Sequence, residues 1–349
     1  MNDRPTPKGV LAALLVGSVL TLFAAEGILR LLMPHWQEFH SGRFMQTTAV
    51  PGHIVVTTGR PGFEGYFAQN NGDFRVRIRV NEFGLRNPDP VKDAGDRVWF
   101  VGDSMTFGWG VEHDEIYSSV AGQALNFPTY NVASPGTNVC GYQALVARMP
   151  KTVNPRAVVI GLILENDIRE YDCAKAATKA SPTKQAEKLS TNNIKAFLTK
   201  NTALYNFFAV VLKRVPFVNR MLISLGVVNK GHSYNRPLAP EKLENAIKRT
   251  AAEIDIFRSR LPAGTPFAVL IAPARFEIRD GDSYFHRLRL GMGKALLNRG
   301  IAVIDPFDKF QKAGFAPTHF AHDGHWSPLG HQIAGRMAAE WLRGQGIGK

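Results

Sequence analysis

Five short apolar segments recur along the chain, and they constrain its fold more than any other feature. Each is four to seven residues long and almost free of charged side chains; they are residues 97–101, 130–133, 157–163, 267–271 and 301–304. Uninterrupted apolar runs of this length are typical of strands that are buried on both faces of a parallel sheet. We therefore predict five strands of such a sheet.

Helical patterns lie between or after these segments, at about residues 114–125, 138–149, 240–261, 283–298 and 327–343. An alternation of strands and helices places helices on both faces of a parallel sheet. The predicted fold class is therefore α/β, a three-layer α/β/α doubly wound parallel sheet formed by residues 96–349. Two stretches fall outside the alternation. Residues 34–95 form an irregular segment, and about 172–238 form a long helical insertion.

The N-terminal segment is long and apolar enough to cross a membrane. Residues 9–25 contain no charged side chain, and the helical pattern continues to residue 33. A bilayer core about 30 Å thick needs roughly 20 helical residues, so residues 9–33 suffice for an uncleaved, single-pass anchor. The main alternative is a cleaved signal peptide, although cleavage after Ala25 would leave the bulky Phe23 where a small residue is required. A buried helix of a soluble protein is the third interpretation.

An anchor at this position also defines the layout of the chain. Residues 1–8 would be a short cytoplasmic tail, residues 34–95 a membrane-proximal segment, and the α/β domain would lie on the far side of the membrane. Glu26 and Arg30 follow the uncharged run and are four residues apart, so we expect them to pair near the membrane interface.

The net charge of +13 restricts the possible partners. Such an excess fits nucleic acid, an anionic membrane or an acidic polymer. The excess is local, because residues 181–240 hold nine basic side chains and a single acidic one, Glu187, with aromatic and aliphatic residues between them. The insertion is therefore a helical cap with a solvated basic face, an amphipathic helix on anionic lipid, or a site for an acidic polymer. No nucleic-acid motif accompanies the charge, and no nucleic acid is expected.

A serine stands where the first predicted strand ends and a helix begins. Gly102, Asp103 and Ser104 follow the apolar run directly, and in a doubly wound sheet the binding crevice lies beyond the carboxyl ends of the strands. A helix N-terminus at this point directs backbone N–H groups toward a developing oxyanion. The same triplet recurs at residues 281–283, where we interpret it as a helix cap. Ser104 is therefore the candidate nucleophile.

A matching acid and base lie near the C-terminus. Asp323 precedes His325 by two residues on a glycine turn, so its carboxylate can orient the imidazole while the other ring nitrogen accepts a serine proton. Histidines are also common metal ligands, but the spacing of the four in this region fits no helical or loop pattern of ligands. Neither a metal nor another cofactor is expected. The four are His319, His322, His325 and His331.

Together these residues resemble the sequence blocks of the SGNH (GDSL-type) hydrolases. The blocks are Gly102, Asp103 and Ser104 after the first strand, Gly136 after the second, Asn166 and Asp167 after the third, and Asp323 with His325 near the C-terminus. The resemblance covers about residues 97–343 except the insertion, and it implies a flavodoxin-like SGNH fold. It also implies that Ser104 is the nucleophile, His325 the general base and Asp323 its orienting acid. The implied oxyanion hole comprises the backbone N–H groups of Ser104 and Gly136 and the side-chain amide of Asn166.

Two departures from the family pattern indicate a particular branch. Leu164 stands where the third block has glycine, and Gly324 alone separates Asp323 from His325. The shorter spacing is similar to that of alginate O-acetyltransferase-like proteins, and residues 81–86 resemble a segment of membrane-anchored bacterial members. The resemblance therefore implies O-acyl chemistry on carbohydrate, in a protein of the bacterial inner membrane with a periplasmic catalytic domain.

Four further residues have two interpretations each. Trp326 either stacks on a sugar ring or packs in the core, and Asp167 either contacts substrate or holds its loop through local hydrogen bonds. Cys140 and Cys173 each follow a predicted site loop. In an oxidising compartment they form a disulfide beside the site or remain two free thiols.

The sequence thus predicts a membrane-anchored serine esterase or O-acyltransferase. Its substrate would be an acylated carbohydrate or another ester, and its mechanism would proceed through an acyl-serine. Two other classes remain open. One is a lipase of the membrane surface with the insertion as a lid, and the other is a catalytically inactive glycan-binding module.

Overall fold

The computed structural model describes residues 7–69, 72–179, 197, 198, 200–214, 217, 221, 224 and 238–348. They fall into two compact units. The first comprises Met1–His40 and Lys188–Lys230, and the second comprises Ser41–Glu187 and Gly231–Lys349. Each unit is described separately.

The strands all lie in the second unit. They are β1 (Met45–Thr48), β2 (Val56–Gly59), β3 (Glu64–Ala68), β4 (Arg75–Arg79), β5 (Val98–Gly102), β6 (Thr129–Ala133), β7 (Ala157–Ile163), β8 (Phe267–Ala272) and β9 (Ala302–Ile304).

The helices are distributed over both units. They are α1 (Pro7–Leu32), α2 (Ser104–Phe107), α3 (Tyr117–Leu125), α4 (Val139–Ala147), α5 (Cys173–Lys179), α6 (Ala203–Arg214), α7 (Pro240–Ser259), α8 (Arg275–Asp280), α9 (Ser283–Leu297), α10 (Phe307–Ala313), α11 (Phe315–Thr318) and α12 (Pro328–Gly344). Short 3₁₀ segments lie at Trp36–Phe39, Ser41–Arg43, Val91–Ala94 and His113–Glu115.

The five predicted strands form one parallel sheet in the order β6-β5-β7-β8-β9. Counted along the chain this is the 2-1-3-4-5 order of flavodoxin-like doubly wound folds. Successive side chains of a strand point to opposite faces. Accordingly Trp99 and Val101 pack with α4, α7 and α9, while Val98 and Phe100 pack with α3 and α12. The predicted three-layer α/β/α class is confirmed.

Capping residues set the starts of the helices that follow the sheet. Asp282 accepts the backbone N–H groups of Tyr284 and Phe285, so it caps α9. This confirms that the second Gly-Asp-Ser triplet is a helix cap. Ser327 caps α12, and the first residue of that helix is Pro328. Proline suits this position because its fixed φ is helical and the N–H that it lacks would have no partner there.

The stretch predicted to be irregular contains two antiparallel hairpins, β1–β2 and β3–β4. Residues of β4 alternate between exposed arginine and buried aliphatic side chains, a period-2 signal that the sequence already carried. The apolar side chains of β3–β4 join an aromatic cluster with Phe44 and Phe107, and Trp109 and Phe320 pack against it. The hairpins therefore belong to the same compact unit as the sheet.

The segment before β5 supports the turn that follows the candidate nucleophile. The Asn81 side chain accepts the N–H groups of Phe83 and Leu85, both at 3.0 Å. Arg86 is buried, and its guanidinium donates to the carbonyls of Phe107, Gly108 and Val111. Burial lowers the pKa of Arg86 to about 10, so it keeps its charge at neutral pH. This segment fixes the chain between α2 and α3.

Cys140 and Cys173 form a disulfide, with their Cα atoms 5.2 Å apart. It joins the start of α4 to the start of α5, which are the segments that follow β6 and β7. The sequence leaves open a disulfide or two free thiols at these positions, and the structure contains the disulfide.

We expect removal of this disulfide to destabilise the second unit. A link across 33 residues restricts the unfolded chain, which is worth about 3–4 kcal/mol in the chain-entropy account. The Cys140→Ala/Cys173→Ala variant should lose about this much unfolding free energy in urea titration. A reductant should destabilise the wild type to the same degree and leave the variant unchanged. An equal effect of reductant on both proteins would contradict the prediction.

The first unit contains an exposed apolar helix and part of the insertion. Helix α1 has 26 residues and, among the described residues, is the one helix long and apolar enough to cross a membrane. Its Arg30 pairs with Glu26 at 2.7 Å, as predicted. Glu26 also accepts the backbone N–H groups of Ala203 and Leu204 at the start of α6. Most of the basic residues predicted to define the insertion lie outside the described residues: Lys184, Lys188, Lys195, Arg220, Lys230 and Arg236.

Candidate active site

The candidate nucleophile lies at the carboxyl edge of the central strand. Strand β5 ends at Gly102, Asp103 caps the next helix, and Ser104 is the first residue of α2. Gly102 packs closely here, because a Cβ on it would lie 2.1 Å from Oγ1 of Thr106 and 3.1 Å from the carbonyl oxygen of Gly161. The lack of a side chain at Gly102 thus lets the helix turn directly off the strand and present Ser104.

Serine, histidine and aspartate meet at this edge. Nε2 of His325 lies 2.9 Å from Oγ of Ser104, and Nδ1 of the same ring contacts the Asp323 carboxylate. A carboxylate accepts a hydrogen bond from Nδ1–H, so the neutral ring has its unprotonated nitrogen, Nε2, toward the serine hydroxyl. Ser104, His325 and Asp323, which the sequence analysis selected, therefore form a continuous chain of side-chain contacts.

The electrostatics keep Asp323 ionised. Burial by itself would raise the pKa of this carboxyl, but the hydrogen bond and charge of His325 outweigh burial and hold the pKa below its ordinary value. Asp323 therefore carries its negative charge at neutral pH and is placed to stabilise an imidazolium at His325.

The tip of the β3–β4 hairpin holds the loop that carries the acid and base. Nε2 of Gln69 donates to Oδ2 of Asp323 at 2.6 Å, so the two carboxylate oxygens have separate donors. Asp73 accepts the backbone N–H groups of His322 and Asp323 at 3.0 and 2.9 Å, and its second oxygen contacts Nδ1 of His322. Sequence reasoning missed Gln69 and Asp73, because nothing local links a hairpin turn to a loop about 250 residues away.

Trp109 forms a wall beside the histidine. Its ring stacks on His325 with centroids 5.8 Å apart and an interplanar angle of 30°. It packs edge-on against Phe67 of the hairpin at 4.6 Å. Trp109 was also missed, although its place just after α2, beside the nucleophile turn, was a usable signal.

A buried ion pair explains the single glycine between acid and base. The backbone N–H and the Nε–H of Arg275 both donate to the Glu165 carboxylate at 2.8 Å. The Arg275 guanidinium lies against Gly324, where a Cβ would come within 1.8 Å of it. Gly324 also has a φ of 80°, which favours glycine. Glycine at this position therefore allows both the tight turn and the close approach of Arg275.

The three predicted oxyanion donors follow the carboxyl ends of neighbouring strands. Ser104 is the first residue of a helix, so its N–H has no acceptor within that helix. Gly136 lies after β6 with a φ of 74°, and a Cβ there would meet nothing within 4 Å, so its backbone is open to approach. Nδ2 of Asn166, after β7, donates to Oδ2 of Asp103 at 3.0 Å. Their joint action on an oxyanion stays a prediction.

Two expected substrate contacts are corrected by burial. Trp326 is 1% exposed and packs between Phe310 and Tyr117, so its ring is not available for stacking on a sugar. Asp167 is fully buried and accepts the hydroxyl of Tyr142 and the N–H of Ile163. Trp326 fills the core cluster beneath α12, and Asp167 holds the loop after β7 through its two hydrogen bonds.

The remaining histidines also have structural partners. Nδ1 of His331 accepts the backbone N–H of Tyr117, His319 contacts the hydroxyl of Thr318, and His322 is held by Asp73. Among the residues that the structure describes, no cluster of three or more histidine, cysteine or acidic side chains is placed to hold a metal.

Asp103 gives the site a measurable pH signature. Burial raises the pKa of Asp103 to about 6, although the hydrogen bonds from Asn166 and from the N–H of Met105 act to lower it. Because the folded protein holds this proton more tightly than the unfolded chain, stability should fall as the pH rises from about 4 to 6 and stay low above 6.

We expect Asp103→Asn to remove the loss of stability that the wild type shows as the pH rises from about 4 to 6. Asparagine is an equally good helix cap, and its side-chain NH2 group can donate to the Asn166 amide oxygen, which has no partner among the described residues of the wild type, once that amide turns over. At pH 7.5 the variant should therefore be more stable by on the order of 1–3 kcal/mol. At pH 4 the two proteins should be alike. Thermal unfolding across pH 4–8 measures this, and a difference that does not vary with pH would count against it.

No family model matches the chain, and no curated protein matches it. Among solved structures, it is similar to a carbohydrate esterase family 2 enzyme with a carbohydrate-binding domain from Corynascus thermopiles (Myceliophthora fergusii), at 13% identity and a TM-score of 0.42, over 77% of this chain and 71% of that one.

Two bacterial structures are similar at the same level. A lipase/acylhydrolase from Enterococcus faecalis shares 13% identity with a TM-score of 0.40, over 71% of this chain and 96% of that one. A member of the lipolytic G-D-S-L family from Veillonella parvula shares 14% identity with a TM-score of 0.39, over 71% of this chain and 99% of that one.

Proposed function

We propose that the chain is an SGNH-type serine esterase or O-acyltransferase that acts on O-acyl esters of carbohydrate, most simply acetyl esters. The observation that carries the proposal is the 2.9 Å approach of Nε2 of His325 to Oγ of Ser104, with Asp323 on the other ring nitrogen. Nucleophile, base and orienting acid are the minimum set for acyl transfer through serine.

The first half-reaction forms an acyl-serine. His325 takes the proton of Ser104 as Oγ attacks the ester carbonyl carbon, and the carbonyl oxygen gains negative charge. The N–H groups of Ser104 and Gly136 and the amide of Asn166 would bind that oxyanion. His325 then gives its proton to the leaving alcohol oxygen as the C–O bond breaks, which leaves the acyl group on Ser104.

The second half-reaction decides between hydrolysis and transfer. His325 removes a proton from water or from a sugar hydroxyl, whose oxygen attacks the acyl-serine carbonyl. The same oxyanion donors act again, and the C–Oγ bond breaks as His325 returns the proton to Ser104. Water yields a carboxylic acid, and a sugar hydroxyl yields a new ester.

Two sequence features support carbohydrate as the substrate. The single residue between Asp323 and His325 is similar to the spacing of alginate O-acetyltransferase-like proteins, and residues 81–86 resemble a segment of membrane-anchored bacterial members. Helix α1 supports an uncleaved anchor in the bacterial inner membrane, with the catalytic unit in the periplasm. Extraction with carbonate and with detergent tests the anchor, because a cleaved leader would release the protein without detergent.

Trapping the acyl-enzyme tests the proposed reaction. Purified full-length protein is incubated with p-nitrophenyl acetate, with a long-chain p-nitrophenyl ester and with an acetylated oligosaccharide, quenched in acid and digested for mass spectrometry. We expect an acetyl group on the peptide that contains Ser104, and no adduct in Ser104→Ala. An adduct only from the long-chain ester would favour the lipase alternative. No adduct and no turnover with any ester or acceptor would favour the inactive glycan-binding module.

A further inference from the structure

The end of α1 is fastened to the start of α6. The Glu26 carboxylate accepts the backbone N–H groups of Ala203 at 2.9 Å and Leu204 at 2.8 Å. Arg30, one turn further along α1, donates to the carbonyl of Asn201 at 2.7 Å. The first N–H groups of a helix have no partner within it, and a carboxylate at that end is favoured by the helix dipole. Glu26 therefore acts as the N-terminal cap of a helix about 177 residues away.

The place of Glu26 in the sequence fixes the depth of this junction. It is the first charged residue after the uncharged run of residues 9–25. At 1.5 Å per residue, those 17 residues rise about 26 Å, which is close to the hydrocarbon thickness of a bilayer. In a membrane-spanning α1, Glu26 and the start of α6 would thus lie at the headgroup boundary.

Exposed aromatic side chains lie on α6 and on the residues that flank it. Phe197 is 63% exposed, Phe208 45% and Phe217 71%. The same part of the chain is basic, with nine basic and one acidic side chain between residues 181 and 240. Large apolar side chains among basic ones are the composition of interfacial membrane helices, where the apolar groups enter the acyl boundary and the cations meet lipid phosphates.

We infer that α6, with Phe197, Phe208 and Phe217, is a second membrane contact, which lies on the anionic headgroups of the leaflet where α1 ends. This inference rests on the anchor proposed above and is independent of the esterase activity. An acidic polymer would account for the basic charge but would not bury three phenylalanine rings. A solvated cap would leave them in water. An anionic lipid surface would both pair with the basic side chains and bury the phenylalanine rings.

Nitroxide labels on the full-length protein test the contact. Both native cysteines are in the disulfide, so an introduced cysteine is the single reactive thiol. Phe208→Cys is labelled and reconstituted in nanodiscs of phosphatidylcholine with or without phosphatidylglycerol. Collision rates with oxygen and with a soluble nickel chelate then report depth. Leu290→Cys, at an exposed apolar position of α9 that is 53% exposed, is the matched control, and Val16→Cys reports on α1.

We expect the Phe208 label to collide at least several-fold less with nickel than the Leu290 label in anionic nanodiscs, and to lose most of this protection in neutral ones. Equal nickel access at Phe208 and Leu290 would overturn the inference, and protection that ignores lipid charge would overturn its electrostatic part. A nickel-accessible Val16 label would instead refute the anchor itself. Glu26→Leu should expose the Phe208 label while Val16 stays protected, and no change at Phe208 would refute the role of Glu26 as a tether.

Discussion

Replacing Ser104 with alanine is expected to lower kcat/KM for ester hydrolysis by about 10⁴-fold or more, and His325→Ala by a similar factor. Each variant removes half of the pair joined by the 2.9 Å contact between Oγ and Nε2. Without the hydroxyl no acyl-serine forms, and without the imidazole the hydroxyl keeps its proton. The measurement is the initial rate of p-nitrophenyl acetate hydrolysis by full-length protein.

The double variant makes this prediction specific to a triad. Because nucleophile and base act in one proton transfer, removing both should cost little more than removing either. Two independent contributions would instead multiply. Thermal unfolding is the control for folding, since neither side chain is part of the hydrophobic core clusters. A double variant far less active than both single variants would contradict the assigned roles.

Replacing Gln69 with glutamate is expected to lower kcat/KM about 100-fold near pH 7 and to move the acid limb of its pH profile upward by about two units. The Gln69 amide donates to Oδ2 of Asp323 at 2.6 Å. A carboxylate at that position places a second negative charge beside Asp323, and this charge favours the protonated form of the His325 ring. A protonated ring cannot accept the serine proton, so the variant needs a higher pH for activity.

Two further variants separate charge from packing. Gln69→Met keeps the size of the side chain but loses the donor, so we expect a smaller decrease, about 10-fold, from the lost bond to a charged group. Gln46→Glu is the control, because it makes the same substitution on the β1–β2 hairpin. It should leave the pH profile of kcat/KM unchanged. The profile of kcat/KM from pH 5 to 9 is the measurement. An acid limb for Gln69→Glu that coincides with that of the wild type would refute the positioning role of Gln69.

The layers of the fold were predictable because their signals are local. Strand β7 is buried along its whole length, and an uninterrupted apolar run of this kind is typical of a strand that is covered on both faces. The placement of Ser104 directly after a strand, and of Asp323 two residues before His325, can likewise be read from a few neighbouring residues. In a doubly wound sheet the carboxyl ends of the strands form one edge, which is why Ser104, Gly136 and Asn166 could be assigned to the same site. His325 follows a helix instead of a strand, and its assignment came from the Asp-Gly-His motif and the resemblance to the SGNH hydrolases.

Contacts between distant segments were not predictable. The sequence alone determined the parallel α/β sheet, the apolar N-terminal helix and the residue types of the triad, since hydrophobic period and strand-end chemistry are properties of neighbouring residues. Only the tertiary structure decided that Trp326 is core, that Gln69 and Asp73 hold the Asp323 loop, and that Glu26 caps α6. Each of these depends on which distant segments meet, and a side chain's burial or hydrogen-bond partner is fixed only when they do.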